Sequence, residues 1–287
     1  MSAVAQPARL ARRPARMPPV VLAALGWLAL MLLIAVLADL IAPYSYTKQD
    51  LYHRLAPPLL WGGSWVHPLG TDQIGRDILS RLLYGIRFSI LIAITGTLIG
   101  AIVGTVVGAL AAHRRGLLEE AIMMLVDVQA AVPFIILALA VLAFFGNDFR
   151  LFLLLVGLDG WERYARLTRG LVLTAQQSGY ATAIRALGAG PLRVYAGHIL
   201  PNIASALVVQ MTLNFPGTIL LETSLSFLGL GVQPPLTSLG LLLGSGRALL
   251  INAWWISVFP GLAIFLTTLS ISLFGDWLCD RLDPTLT

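Results

Sequence analysis

Apolar residues in this chain gather into long runs separated by polar stretches: Val20 to about Ala42, Phe88 to Ala112, Ala121 to Phe145, Phe149 to about Leu171, Ile203 to about Phe227, and Trp254 to Leu273. A hydrocarbon core about 30 Å thick takes ~20 helical residues to cross. Within it the backbone must satisfy its own hydrogen bonds, so runs of this kind form helices. The pattern predicts an all-α membrane protein of six transmembrane helices in one bundle. The fourth run is the weakest, because Asp159, Glu162 and Arg163 interrupt a short apolar core, and five spans are the alternative. The run from Val20 is too long for the apolar part of a signal peptide and lacks a persuasive cleavage site, so it reads as a retained first span.

Composition agrees with the pattern. The 287 residues are 57% hydrophobic and 11% charged, against about 25% charged in soluble domains, which excludes an ordinary soluble globule. The net charge of +5 would invite nucleic acid, but the basic residues sit mostly between spans, where membrane orientation explains them. With the N-terminus inside, Arg9, Arg12, Arg13, Arg16, Arg114, Arg115, Arg163, Arg166, Arg169, Arg185, Arg193 and Arg281 face the cytoplasm, twelve of the nineteen Lys and Arg. Both termini are then cytoplasmic, and no nucleic-acid partner is expected.

Catalytic chemistry finds no foothold. Lys48 is the sole lysine, so a phosphate-binding loop of the Gly-x-x-x-x-Gly-Lys type cannot form. Neither His-Glu-x-x-His nor Gly-x-Ser-x-Gly occurs, and His53, His67, His113 and His198 are scattered. The single Cys279 closes no disulfide and offers no zinc arrangement. No catalytic or metal-ligating set is predicted.

Two loops exceed mere connections. The first, Pro43 to Gly85, carries aromatics and prolines. It then places Ile74, Ile78, Leu79, Leu82 and Leu83 at helical spacing opposite Arg76, Asp77 and Arg81. This predicts a helix lying flat in the interface with Asp72 as its N-cap. The second, about Gly170 to Leu200, predicts a helix ending at Gly188, a sharp turn, and a second helix opened by Pro191. Small side chains at Ala183 and Ala186 permit close approach of another surface. The element reads either as a docking knob or as an amphipathic connector on the membrane surface.

Inside the spans, Gly96, Gly100, Gly104 and Gly108 form one bare ridge suited to close helix packing. Gln210, Asn214, Thr218 and Glu222 recur every fourth residue as a polar stripe, with Pro216-Gly217 inside it predicting a kink. The stripe lines a solute path or makes interhelical hydrogen bonds. Asp127 is expected to pair with a basic residue of another helix, and Asp276, with Asp280, Arg281 and Asp283, to orient the C-terminus.

The run Tyr180 to Asn202 resembles the cytoplasmic EAA signature of type I ABC importer permeases. Around it, Pro68-Leu69-Gly70-Thr71-Asp72 through Gly75-Arg76-Asp77, Tyr164 to Gly170, Ser224 to Pro235, and Gly275-Asp276 to Asp283-Pro284 are similar to the DppC/OppC branch, which serves dipeptide, oligopeptide and nickel uptake. The resemblance implies a MetI-like permease fold: residues 1–84 form a basic cytoplasmic N-terminus, a first span and an external interfacial segment, and residues 85–287 form the permease core with coupling loop 170–200. It implies an ATPase contact through Thr182, Ala183, Arg185, Ala186, Leu187, Gly188 and Pro201. Thr182 stands where the family has its Glu and Ile184 where it has its second Ala, so the usual acidic contact is missing. The implied partners are a second homologous permease of the DppB/OppB type, two cytoplasmic ATPase subunits that bind ATP and Mg, an extracytoplasmic solute-binding protein, and lipid of a bacterial inner membrane. This chain itself holds no cofactor and catalyses no covalent change. An ion-coupled secondary transporter using Asp127 or Glu222 is the rival reading, although no inverted repeat is visible. A channel is weaker, with no filter-like motif.

Overall fold

Pro19 opens the first helix, α1 (Pro19–Ile41), in the first-turn position where its missing N–H costs nothing. The structure, a computed structural model, describes residues 17–282, so Arg9, Arg12, Arg13, Arg16, Asp283 and Pro284 lie outside the described residues. After α1 the chain folds back on itself before entering α2 (Ile78–Arg114), whose 37 residues give a rod about 55 Å long. The remaining helices are α3 (Leu117–Ala131), α4 (Phe134–Phe145), α5 (Phe149–Gly157), α6 (Trp161–Gln177), α7 (Gly179–Ala186), α8 (Pro191–Val194), α9 (Leu200–Phe227), α10 (Leu239–Gly246) and α11 (Trp255–Leu282). No strand occurs among the described residues, only an isolated bridge between Thr71 and Asp77.

The expected interfacial helix with Asp72 as its cap is not formed. Asp72 instead closes a tight turn: its Oδ1 accepts from the N–H groups of Ile74 and Arg76 at 3.0 and 2.9 Å. Its Oδ2 accepts from Arg76 Nε at 2.7 Å and Arg81 Nη1 at 2.5 Å. The turn uses Gly75 at φ +75°, where a Cβ would strike the backbone of Asp50. Asp77 is the cap, accepting from Ser80 N at 2.7 Å. The apolar stretch from Ile78 is the first turn of α2 itself, which runs on through the expected boundary at 84–85.

Two of the six expected spans are broken. Among the described residues four helical segments are long and apolar enough to cross a membrane: α1, α2, Tyr195–Phe227 (which contains α9) and α11. The third run divides into α3 and α4, bent by 88°. There Pro133 supplies no N–H, and Val132 before it takes extended backbone (φ −93°, ψ 127°). The fourth run divides into α5 and α6 at Leu158–Gly160, with Gly160 at φ +79°. Counting the bent pair as one span gives five, which is the number the alternative reading expected.

Helix α6 carries Glu162, Arg163, Arg166 and Arg169, yet buries Trp161, Tyr164, Ala165 and Thr168. It does so against the glycine ridge of α2. A Cβ on Gly104 would lie 2.6 Å from Tyr164 Cβ, and one on Gly108 2.9 Å from Ala165 Cα. Nearer the other end, Gly100 faces the carbonyl of Gly157 and Gly96 faces Val156. The ridge is thus a packing surface along its length. Helix α1 lies against α11, where Trp27 Nε1 donates to Thr267 Oγ1 at 3.1 Å.

Gly104→Val is expected to lower the thermal midpoint and folded yield of the detergent-purified protein, at a cost of about 1–3 kcal/mol or more from overpacking. Gly170→Ala, on α6 and with no atom within 4 Å of the added carbon, is expected to leave both unchanged or slightly raised. Equal effects of the two substitutions would show that α2 and α6 are not in this contact.

Candidate functional site

Helix α7 ends as its sequence predicts. Ala189 N donates to Ile184 O at 3.3 Å across Gly188, which sits at φ +83°, the arrangement that satisfies a last-turn carbonyl when a glycine takes the left-handed position. Pro191 then opens α8. A π-turn over Tyr195–Ile199 carries the chain into α9, with Pro201 in its first turn. The result is a helix, a turn and a helix that continues without a break into a membrane span.

The tip and base of this loop differ in kind. Ala183, Ala186 and Gly188 are exposed, and Leu187 is 87% exposed. The side chains of Tyr180, Ala181, Thr182, Arg185 and Leu192 lie outside the described residues, so Thr182 and Arg185 are placed only as positions on α7. At the base, Val194, Ile199 and Ile203 pack with Ala112 of α2 and Val172 and Ala175 of α6. Tyr195 Oη accepts from Gln176 Nε2 at 2.5 Å and lies 3.2 Å from His113 Nδ1. An exposed apolar knob therefore stands on a base tied to α2, α6 and α9.

The polar stripe of α9 divides as well. Glu222 is fully buried: its Oε2 accepts from Ser89 Oγ of α2 at 3.2 Å and its Oε1 from Ser226 Oγ at 2.9 Å. The two serines accept in turn from Leu239 N and Val232 N, so the carboxyl group organises α2, α9 and the approach to α10. Thr218, also buried, accepts from Thr97 Oγ1 at 3.3 Å. Asn214 Oδ1 accepts from Arg163 Nη1 of α6 at 3.0 Å. Gln210 alone of the four opens onto a cavity of about 550 Å³, with Thr174 of α6, Asn202 and Ser205 of α9 and Cys279 of α11 among its walls. Within this chain, three positions of the stripe therefore make the interhelical bonds that were one of its two readings.

Asp127 pairs across helices as expected, accepting from Arg166 Nη2 at 2.9 Å, and Arg169 Nε donates to Glu119 at 2.5 Å one turn away. Ser89 and Thr97 were not singled out in the sequence, and Arg163 was noted only as a charge in the fourth run and not as a partner of Asn214. They lie 51 to 133 positions from the residues they bind, a separation that no local pattern encodes.

In a Cys279→Ser background, a cysteine at position 210 is expected to react with a small aqueous thiol reagent at least tenfold faster than one at 214, 218 or 222. Comparable rates at 210 and 222 would put the whole stripe beside water and overturn the packing assignment.

Comparison with known proteins adds to this geometry. Residues 104–287 match the family described as the binding-protein-dependent transport system inner membrane component, and residues 6–58 match the N-terminal TM domain of oligopeptide transport permease C. The di/tripeptide transport system permease protein DppC of Pseudomonas aeruginosa is 42% identical over 92% of this chain and 88% of its own length. The dipeptide transport system permease protein DppC of Escherichia coli K12 is 44% identical over 91% and 88%, and the glutathione transport system permease protein GsiD of Pectobacterium atrosepticum is 38% identical over 90% and 84%. A solved structure of the MetNI methionine ABC transporter in an inward-facing conformation superposes with TM-score 0.58 at 20% identity, covering 72% of this chain and 98% of that one, which establishes the MetI-like fold. A helix–turn–helix knob rooted in the spans, a family profile over most of the chain and near full-length relatives converge: the chain belongs to the inner-membrane permease subunits of binding-protein-dependent ABC importers, not to the ion-coupled carriers.

Proposed function

We propose that this permease carries di- or oligopeptides across the inner membrane as one of two permease subunits that together enclose the path. The peptide relatives support the solute class. Both termini face the cytoplasm in this reading, and the excess of arginine on that side supports it. A binding protein delivers solute at the outer mouth. Two ATPase subunits bind ATP and Mg at the inner face, and this chain contributes no cofactor and no covalent chemistry. Residues 85–287 act as the permease core, and residues 1–84 as an added anchor.

The observation that carries the coupling role is the contrast between the exposed tip at Ala183, Ala186, Leu187 and Gly188 and the buried base at Val194 and Ile199. A rigid knob with an apolar tip and no acid at Thr182 docks by shape, and Pro201 starts the helix that receives the push. Among the stripe residues, Gln210 serves the inner end of the solute path, while Asn214, Thr218 and Glu222 hold the wall that supports it.

Gly188→Arg is expected to leave the amount of complex in the membrane unchanged while reducing dipeptide uptake and peptide-stimulated ATP hydrolysis in proteoliposomes by at least tenfold. Gly188→Ala, strained at φ +83° but small, is expected to fall between the two. Full stimulated hydrolysis by assembled Gly188→Arg complex would remove the coupling assignment. Uptake that dipeptides fail to inhibit would remove the peptide assignment independently.

A further inference from the structure

The segment between α1 and α2 folds into a compact loop instead of a surface helix. Asp50 N donates to Gly75 O at 3.3 Å, Leu55 N to Asp72 O at 3.0 Å, and Thr71 N to Ala56 O at 3.0 Å. This crossing brings together residues that the sequence scatters. One ligand atom each from Asp50, His53 and His67 lies within 4.8 Å of the other two.

His67 is the informative member. Its ring is buried, and Nδ1 lies 3.0 Å from Asp77 Oδ1. The other oxygen of Asp77 accepts from Ser80 N and Oγ, both at 2.7 Å. A carboxylate can only accept, so Nδ1 is the donor to Asp77 and Nε2 is the nitrogen left to offer a lone pair. Nε2 is buried and has no hydrogen-bond partner among the described residues. A buried acceptor left without a partner is costly. A histidine oriented by a carboxylate on one nitrogen, with the other left free, is also the arrangement that presents imidazole to a metal.

The other two groups complete the donor set. Asp50 Oδ2 lies 2.8 Å from His53 Nδ1, which places a carboxylate oxygen beside the imidazole. The His53 side chain is 53% exposed and leaves a way in from solvent. A cavity of about 200 Å³ adjoins Asp50, His67 and Asp77, which is room for a water as fourth ligand. Lys48 lines the same cavity, with its ammonium over the Tyr44 ring at 4.7 Å, and the carboxylates of Asp50 and Asp77 outweigh it. Two imidazoles and a carboxylate suit zinc and its transition-metal neighbours rather than magnesium or calcium. Tetrahedral bonds of ~2.1 Å separate ligands by roughly 3.4 Å, so separations of up to 4.8 Å close by at most about 1.4 Å as the exposed His53 gives up its 2.8 Å hydrogen bond to Asp50 and turns to the ion.

We propose that Asp50, His53 and His67 bind a zinc-class divalent cation, with Asp77 orienting His67, and that the ion staples the 50–53 turn to the segment leading into α2. The proposal departs from the expectation that the chain holds no metal-ligating set. Two histidines fourteen positions apart with no spacing motif gave no signal, and the loop's backbone crossing supplies the juxtaposition.

The test uses the full-length chain purified in detergent with its accompanying subunits, stripped with chelator and titrated with Zn²⁺ by calorimetry and with Co²⁺ by visible absorption. Wild type is expected to bind one ion per chain, with the intense visible bands of four-coordinate cobalt, and to melt at a higher temperature with zinc than without. His53→Ala and Asp50→Asn, chosen because His53 is exposed and Asn preserves the turn, are each expected to weaken binding at least tenfold and abolish the zinc-dependent shift in melting. His113→Ala, outside this loop, is expected to keep the wild-type zinc affinity and stoichiometry. Absence of stoichiometric binding in the wild type, or binding unchanged by both His53→Ala and Asp50→Asn, would overturn the assignment.

Discussion

The backbone approach of α6 to α2 sets the placement of most other elements. In lipid there is no hydrophobic drive to push one apolar helix against another, so association rests on close packing and on polar bonds between helices. The four glycines of α2 remove the side chains that would hold α6 and the α5–α6 junction away. Once α6 is seated, its cations have fixed directions: Arg163 reaches Asn214 of α9, Arg166 reaches Asp127, and Arg169 reaches Glu119 of α3. A helix with this many charges would be costly in lipid by itself. Docked on the ridge, its cations meet acceptors on neighbouring helices.

The buried bonds of α9 continue the same logic. Glu222, Thr218 and Asn214 face α2 and α6, and each meets a side chain on one of them. Such groups are tolerated in a membrane only when turned inward to partners or water. Ser89 joins two tasks, donating to Glu222 and accepting from Leu239 N, so the start of α10 is positioned by the group that holds α9 to α2. The outer loop is organised likewise by carboxylates: Asp72 gathers Arg76 and Arg81, while Asp77 caps α2 and orients His67.

How much of this was legible in the sequence depended on whether the cause was local. Apolar length announced α1, α2, α9 and α11, because span length is imposed by the bilayer. The glycine ridge and the turn at Gly188 were legible because spacing and the left-handed conformation are properties of a few neighbouring residues. The break at Pro133 carried a local signal that the apolar run masked, and the break at Leu158–Gly160 showed only as a weak fourth span. Choosing Asp77 over Asp72 as the cap depended on which carboxylate was already engaged, and the backbone of Asp50 against Gly75 decides that from a distance. The partners of the polar stripe were out of reach for the same reason: periodicity shows that a helix has a polar face but not what faces it.

The loop at 170–200 is held by contacts of the same kind. Its base is clamped by apolar packing among α2, α6 and α9 and by Tyr195 between Gln176 and His113. Farther along the same helices, Arg163 ties α6 to Asn214 of α9, and the glycine ridge ties α6 to α2. Helices α2, α6 and α9 cannot shear past one another without breaking these polar bonds and the close packing around them, since well-packed interiors resist continuous deformation. The tip at Leu187 and Gly188 is thereby seated on α2, α6 and α9 as one packed unit, whereas α3 and α4 meet at an 88° bend where Pro133 supplies no N–H to a helical hydrogen bond.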